Sequence, residues 1–346
     1  MSYLLPLTLS TLGGLSLLVL SSTAPTLTTH QLSLLLVGLV LFGLSSQVKK
    51  TFYLKHALLI YLAVTFLLLV TLVLGGGRGT RRWLSLAGLS FQASQLAVPM
   101  VGLWLSLLTS QFDLRKLKEL SILVSFILLP AGLIFLEPDL GATLWFLFPA
   151  AGLIFVSGTP LKHLFLLSGV GLLSSLVVFS LALKPYQKER IKSFLTANKT
   201  NSSQTASDYN RNQALIAIGS AGLWGRGFGG GTQSQLKFLP EKHTDFIFAS
   251  ATEEGGVIFA LILISLYLLI FSFLLSQAKK ASQPTNFFLF YLAVLFGWQV
   301  IINLGGNLGL LPITGLPLPF FSYGGSSIVS WALSLGITQS LVRPST

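Results

Sequence analysis

A chain of 346 residues that is 52% hydrophobic and only 9% charged lacks the polar surface of a soluble globule, in which roughly 25% of residues carry a charge. It has no cysteine, which excludes disulfides, thiolate metal sites and cysteine nucleophiles, and its four histidines are too scattered to predict a metal cluster. The net charge of +12 favours contact with anionic headgroups or phosphates over nucleic acid. We therefore predict a polytopic membrane protein.

Apolar stretches follow one another along the chain, each long enough to cross about 30 Å of hydrocarbon as a helix. The predicted spans are residues 3–21, 31–48, 55–74, 91–109, 119–136, 141–157, 163–183, 246–275, 286–304 and 322–341. We interpret Pro138 as a break between the fifth and sixth spans. The predicted fold class is all-α, a polytopic membrane helix bundle of about ten transmembrane helices that forms a single integral membrane domain over residues 1–346.

The basic residues of the short loops predict the orientation of these spans. On the side of both termini, the loops are rich in lysine and arginine, whereas the short loops on the other side carry only Arg78, Arg81 and Arg82. Since short cytoplasmic loops carry the excess of positive charge, both termini are expected in the cytoplasm. The one long loop, residues 184–245, then faces outward and is the region with soluble character.

Two glycine-rich stretches on the outward side each allow two interpretations. Residues 222–233 are either a simple flexible turn or, with Arg226 and Lys237 nearby, an anion-contacting loop, because glycine lets the backbone approach a ligand closely. No phosphate-loop motif is present, so nucleotide binding is not expected. Residues 75–83 hold three arginines that suit either a phosphate or headgroup anchoring.

A third irregular stretch, residues 309–327, contains three prolines and a glycine cluster within hydrophobic sequence. Broken backbone at membrane depth is tolerated only where protein or a cavity covers it. The stretch is therefore either a re-entrant packing loop or part of an outward-facing site, and both interpretations stay open.

Asp245 lies at the sharpest boundary between polar and apolar sequence. An apolar run begins at Phe246, and His243 and Thr244 come directly before the aspartate. Because ionisable groups at membrane depth are costly and usually functional, we predict that Asp245 is catalytic. His243 is either a proton partner or a residue that hydrogen-bonds the backbone at this junction.

Other acidic residues are predicted to support the site. On a helix, Glu253 lies roughly on the face of Asp245 and Glu254 nearly opposite, so one would shape the site while the other contacts a neighbouring helix. Asp139 and Glu137 form a second carboxylate pair, although an acid directly before a helix more often caps it, and Asp139 fits that role ahead of residues 140–142.

These motifs carry a specific resemblance. Residues 239–248, with Glu253, Glu254 and Gly255 after them, resemble the signature of the RodA–FtsW family of shape, elongation, division and sporulation proteins. Residues 138–141, 217–223 and 317–327 support it. Residues 184–190 and 231–236 resemble the RodA (elongation) branch more than the FtsW (division) branch.

The resemblance implies a peptidoglycan glycosyltransferase of the bacterial cytoplasmic membrane that polymerises lipid II, an undecaprenyl-linked disaccharide peptide, on the outer face. It also implies a class B penicillin-binding protein as partner. The family's essential aspartate falls on Asp245, the expected general base of an inverting transfer that releases undecaprenyl pyrophosphate. The alternatives are a lipid-linked precursor flippase and a non-catalytic scaffold for a penicillin-binding protein.

The predicted site is completed by substrate-binding and supporting residues. The substrate-binding residues are Arg82, Arg226, Lys237, His243, Thr244, Ser322 and Tyr323, and the supporting residues are Asp139, Glu253 and Glu254. No protein metal ligand is predicted, and the one cofactor that the chemistry leaves open is a divalent cation such as Mg²⁺ or Mn²⁺.

The chain departs from the family pattern at the start of the fourth span. The family usually has a glutamate and, three residues later, a lysine, where this sequence has Gln95 and Val98. An acid and a base at this spacing on a helix are neighbours. Because replacing both members of a buried ion pair can be neutral whereas losing one is costly, the joint absence fits a lost structural pair. It leaves open whether a substrate contact was lost with them.

Overall fold

The fold is almost entirely helical. The computed structural model describes residues 4–76, 81–86, 89–177, 179–180, 183, 187–188, 206–236 and 238–343. Within them the helices are α1 (Leu4–Thr23), α2 (Pro25–Gln47), α3 (Lys50–Lys55), α4 (Ala57–Leu74), α5 (Ala93–Gln111), α6 (Leu117–Leu136), α7 (Leu140–Val156), α8 (Leu161–Val177), α9 (Ala206–Gly219), α10 (Thr232–Gln235), α11 (Ile247–Lys280), α12 (Thr285–Asn307) and α13 (Gly325–Val342). Two strands, β1 (Trp83–Leu86) and β2 (Leu89–Gln92), form an antiparallel hairpin.

A helix lies at each of the ten predicted spans. Among the described residues, seven of these helices (α1, α2, α4, α5, α6, α11 and α12) are long and apolar enough to cross a membrane. The apolar helices α7 and α8 are shorter, with 17 residues each, and α13 has 18. The predicted class, an all-α polytopic membrane bundle, is confirmed. The fourth span was predicted to begin at residue 91, but β2 continues to Gln92 and the helix starts at Ala93.

The chain divides into two compact units. The first comprises residues 1–47, 190–273 and 296–339, and the second comprises residues 48–189, 274–295 and 340–346. In the second unit, the Tyr291 hydroxyl donates to the carbonyl of Val98 at 2.7 Å, and the Trp145 indole donates to the carbonyl of Leu295 at 3.1 Å. Gln95 and Val98 are both buried in α5, so a single charge at either position would be costly.

In the first unit, the irregular segment between α12 and α13 is held by side chains from several helices. Ser16 of α1 donates to the carbonyl of Phe321 at 2.6 Å, Tyr267 of α11 to that of Pro319 at 3.0 Å, and Gln299 of α12 to that of Pro317 at 2.6 Å. These bonds satisfy backbone carbonyls that no regular ladder pairs. The segment is therefore a loop packed within the bundle, which we call the strapped loop (residues 309–324).

Candidate functional site

Asp245 lies two residues before α11, partly exposed, in a turn in which the carbonyl of Glu241 accepts from the amides of Thr244 and Phe246. One side of the aspartate faces a small recess of about 10 Å³, enough for roughly one water molecule. The recess is lined by Asp245, Phe246, Ile302, Asn303, Gly306, Asn307, Ile313, Thr314, Gly315 and Leu316. Asp245 is thus partly open to solvent and borders a space of hydroxyl size.

The residues next to Asp245 are joined to the end of the strapped loop. The Ser322 hydroxyl, which is buried, donates to the carbonyl of Thr244 at 2.7 Å, and the amide of Tyr323 donates to the carbonyl of His243 at 2.9 Å. The Tyr323 hydroxyl lies 2.8 Å from Nδ1 of His30. The structure therefore brings four predicted substrate-binding residues together around Asp245, namely His243, Thr244, Ser322 and Tyr323. The Ser322 hydroxyl is already hydrogen-bonded to the main chain of Thr244.

His243 is partly buried, and its ring lies edge-on to that of Tyr323 with the centroids 5.9 Å apart. Burial lowers the pKa of His243, an effect that Lys242 reinforces and Glu241 opposes. The imidazole is accordingly neutral at pH 7, which suits a hydrogen-bonding group better than a cation that contacts phosphate.

The glycine-rich loop packs against a break in α11, where Gly256 has non-helical backbone angles (φ 77°, ψ −178°). In an uninterrupted helix the amides of residues 257 and 258 would donate to the carbonyls of residues 253 and 254. The loop supplies other partners through four backbone hydrogen bonds: Val257 N to Gly222 O (3.1 Å), Ile258 N to Leu223 O (3.3 Å), Arg226 N to Glu253 O (2.9 Å) and Gly227 N to Glu254 O (3.0 Å). These four hydrogen bonds, which we call the splice, join the loop to α11 at its break. Residues 247–255 before the break form a half-helix that follows Asp245.

Glu253 and Glu254 are both buried and hold this splice rather than the recess at Asp245. The Glu253 carboxylate accepts from the amides of Gln233 (2.8 Å) and Ser234 (2.9 Å) at the start of α10. Glu254 accepts from the Ser22 hydroxyl of α1 at 2.6 Å. The prediction that one glutamate contacts a neighbouring helix fits Glu254, and Glu253 caps a turn of the long loop.

Of the two basic residues predicted to contact an anion beside the glycine stretch, only Arg226 is among the described residues. Arg226 is exposed, and its guanidinium donates to the Thr232 hydroxyl at 3.1 Å and to the Ser220 carbonyl at 3.5 Å. Lys237 lies outside the described residues. Because the loop glycines pack on α11, the structure favours a specific turn, and Arg226 is an exposed cation on it.

A second cluster, in the other unit, surrounds Arg82 and Asp139. Trp83 pairs with Gln92 across the β-hairpin, which places Arg82 and Gln92 at the same end of it. Gln92 donates to Oδ2 of Asp139 at 2.9 Å, and a guanidinium nitrogen of Arg82 lies 3.8 Å from Oδ1. Oδ1 also accepts from the amide of Ala142 at 3.1 Å, so Asp139 caps α7 as the sequence indicated.

Arg82 is further held by backbone carbonyls: its Nε donates to Glu137 O at 3.3 Å, and Nη2 donates to Pro138 O. Its side chain is 22% exposed, so the cation is fixed in direction without being sealed from solvent. Glu137 itself is fully buried, and neither carboxyl oxygen has a hydrogen-bond partner among the described residues. Burial, reinforced by Asp139 and opposed by Arg82, raises the pKa of Glu137 to about 8.

Glu137→Gln is expected to stabilise the protein selectively at alkaline pH. Between pH 4.5, the ordinary pKa, and about 8, the folded chain holds a proton that the unfolded chain has released. The free energy of unfolding therefore falls as pH rises through this window, and the glutamine variant escapes that loss. Melting temperatures in detergent should match near pH 4.5 and favour the variant at pH 8.5. Glu119→Gln, at the opposite end of α6, is the control, and an equal gain in both variants would contradict the assignment to Glu137.

Sequence reasoning missed the β-hairpin, Gln92, and the asparagines of the recess, Asn303 and Asn307. The hairpin overlaps the predicted start of the fourth span, its strands have only four residues each, and only β2 alternates apolar and polar residues. The asparagines did leave a signal, since they are polar residues spaced by four in an apolar helix. Such a pair shares one helix face and predicts a buried polar contact.

The helices and the two clusters define a multi-pass membrane protein with a carboxylate at the start of a broken helix and an anchored arginine at the end of a hairpin. The chain belongs to the FtsW/RodA/SpoVE family: the family model FTSW_RODA_SPOVE, described as "Cell cycle protein", matches residues 6–346. The resemblance seen in the motifs is thereby confirmed.

Relatives from both branches of the family are similar to this chain. It is 34% identical to the "Probable peptidoglycan glycosyltransferase FtsW" of Coxiella burnetii, over 87% of this chain and 82% of that protein. It is 33% identical to the "Peptidoglycan glycosyltransferase MrdB" of Escherichia coli K12, over 88% and 82%. A solved structure described as "Structural coordination of polymerization and crosslinking by a peptidoglycan synthase complex" superposes with a TM-score of 0.85 at 30% identity, covering 98% of this chain and 96% of the other.

Proposed function

We propose that this chain is a peptidoglycan glycosyltransferase that polymerises lipid II into glycan strands for cell elongation and rod shape. The observation that carries the proposal is the placement of Asp245, a partly exposed carboxylate beside a hydroxyl-sized recess at the start of a broken helix. Relatives that bear this activity in their names cover most of the chain. The elongation branch is favoured by residues 184–190 and 231–236.

In the proposed reaction, Asp245 is the general base. The hydroxyl of an acceptor sugar attacks the anomeric carbon of a donor that carries an α-linked lipid pyrophosphate. The new C–O bond forms as the bond to the pyrophosphate breaks, the carboxylate takes the hydroxyl proton, and undecaprenyl pyrophosphate leaves. One displacement inverts the configuration to give a β-linkage, so no second, nucleophilic carboxylate is required.

The leaving pyrophosphate requires positive charge where its negative charge develops. Arg82 suits this role because three acceptors, on Glu137, Pro138 and Asp139, hold its guanidinium in place. Arg226 and Lys237 are proposed as further contacts. A divalent cation such as Mg²⁺ or Mn²⁺ would need phosphates of the substrate as ligands, because no three His, Asp or Glu side chains converge among the described residues.

We further propose a partner and an orientation. The class B penicillin-binding protein would crosslink the strands that this chain makes, in keeping with the similarity to a synthase complex of polymerisation and crosslinking. Both termini would lie in the cytoplasm and the Asp245 site outside it, in line with the sparse basic residues of the outward short loops.

The test is incubation of the purified chain with lipid II, with and without a class B penicillin-binding protein. Glycan polymer together with released undecaprenyl pyrophosphate is the expected product. In proteoliposomes, movement of lipid II between leaflets without polymer would identify a flippase. Absence of both, with and without the partner, would indicate a scaffold. Either of these last two results overturns the proposal.

A further inference from the structure

The main chain at Asp245 is held by two asparagines of α12. Asn307 Nδ2 donates to the carbonyl of Asp245 at 2.9 Å, and Asn303 Nδ2 lies 3.3 Å from the same oxygen. Both asparagines are buried, with 1% and 5% of their surface exposed. Buried amides without partners are costly, so these bonds are strongly favoured in the folded chain.

Asn307 also caps the half-helix that follows Asp245. Its Oδ1 accepts from the amide of Ala249 at 3.1 Å, which is one of the first-turn amides that have no partner within their own helix. The same side chain therefore fixes the carbonyl before the helix and an amide inside its first turn. Loss of either bond would let the backbone at Asp245 change its direction relative to the first turn of α11.

Asn303 connects Asp245 to the strapped loop, which forms another wall of the recess. Its Nδ2 donates to the carbonyl of Leu316 in the strapped loop at 2.9 Å, and Asn307 donates in turn to the carbonyl of Asn303 at 2.9 Å. Next to Leu316, Gly315 has a positive φ of 81°, and a Cβ built on it would lie 3.8 Å from Oδ2 of Asp245. The two asparagines thus set the distance between the carboxylate and the loop beside it.

We infer that Asn307, together with Asn303, is a positioning residue that holds the Asp245 carboxylate at the edge of the recess in the geometry required for proton transfer. This inference rests on the proposed function, because it assigns the asparagines to the base of that reaction. A displacement of about 1 Å at a reacting group is sufficient to slow a reaction by about 100-fold.

Two variants test the inference. Asn307→Asp is isosteric and keeps the oxygen that accepts from Ala249, but it replaces the donor to Asp245 with an acceptor. Asn307→Leu removes the bonds to Asp245 and Ala249, together with the bond to the Asn303 carbonyl, without adding charge. In each, kcat for lipid II polymerisation per folded molecule should fall by about 10- to 100-fold, while KM changes by less than about twofold.

Gln299→Leu is the matched control, since Gln299 is also a buried amide of α12. It donates to Pro317 and accepts from the Trp331 indole at 2.9 Å, without contact to Asp245. Its loss should lower the melting temperature and leave kcat per folded molecule within about twofold. The inference is overturned if the Asn307 variants keep wild-type kcat, or if Gln299→Leu loses as much. If Asp245→Asn polymerises lipid II at the wild-type rate, Asp245 is not the base and the inference loses its premise. If the wild-type chain makes no polymer, the proposed function itself fails, so these failures are distinguishable.

Discussion

Asp245→Asn is expected to lower the rate of lipid II polymerisation by about 10² to 10⁴-fold, the range that a positioned general base contributes. The substitution keeps the size and shape of the side chain and leaves the carbonyl of Asp245 available to Asn303 and Asn307. The fold should therefore persist while the proton acceptor is lost. Initial rates with purified lipid II and melting temperatures, measured on the same preparation, check both halves of the expectation.

Glu241→Gln is the matched control because Glu241 is a second carboxylate in the same turn. One of its side-chain oxygens lies 3.3 Å from the Thr244 hydroxyl, and a glutamine preserves that acceptor. Polymerisation by this variant should stay within a few-fold of the wild type. Near-wild-type polymerisation by Asp245→Asn and Asp245→Ala would remove Asp245 as the base, whereas an equal loss in Glu241→Gln would point to the charge of the turn.

The fold was largely predictable because a bilayer imposes a simple rule on sequence. A stretch of about 20 apolar residues must pair its own backbone groups, so it forms a helix whatever its neighbours are. All ten predicted spans coincide with helices for this reason, and α11 begins within one residue of the predicted start. The hairpin before α5 escaped prediction because strands are not subject to the length rule for membrane-spanning helices, and its register depends on pairing between β1 and β2.

The candidate site was predictable only in part. Asp245 is visible in sequence because a charge beside an apolar run is rare, and the capping role of Asp139 follows from its place ahead of α7. The contacts to the main-chain carbonyl of Asp245 come from α12, about 60 positions further along the chain. The spacing of the two asparagines predicts a buried polar contact, but no local pattern identifies Asp245 as their partner. The roles of Glu253 and Glu254 were hidden for the same reason, since their partners include Ser22 and the long loop.

The glycine-rich loop shows how one composition serves two physical purposes. Glycine permits both a positive φ and a close backbone approach, and sequence alone does not say which one a given position uses. Gly225 needs both: its φ is 78°, and a Cβ on it would lie 2.1 Å from the Glu254 carbonyl and 2.5 Å from the Gly256 amide. Gly227 has a similar φ of 82°, but a Cβ on it would meet nothing within 4 Å. Comparing Gly225 with Gly227 therefore separates the cost of a positive φ from the cost of the close backbone approach.

Gly225→Ala is accordingly expected to be severely destabilising, and Gly227→Ala only mildly so. Both substitutions place an L-residue in the left-handed region, at a cost of about 1–2 kcal/mol. At Gly225 the methyl group also meets backbone of α11 that cannot move without breaking the splice, so the total should exceed about 3 kcal/mol. In detergent, Gly227→Ala should melt a few degrees below the wild type, and Gly225→Ala at least about 6 °C below it or fail to accumulate as a monodisperse species.

Lipid II polymerisation by the Gly225→Ala and Gly227→Ala variants gives a second measurement beside their melting temperatures. The splice fixes the half-helix that begins two residues after Asp245, so Gly225→Ala should lose polymerisation together with stability, while Gly227→Ala retains it per folded molecule. Equal melting temperatures for the two variants would mean that the close approach to Glu254 contributes nothing. Normal polymerisation by a destabilised Gly225→Ala would show that the splice does not affect the proposed base, Asp245, because the half-helix would then keep its place through the α12 asparagines alone.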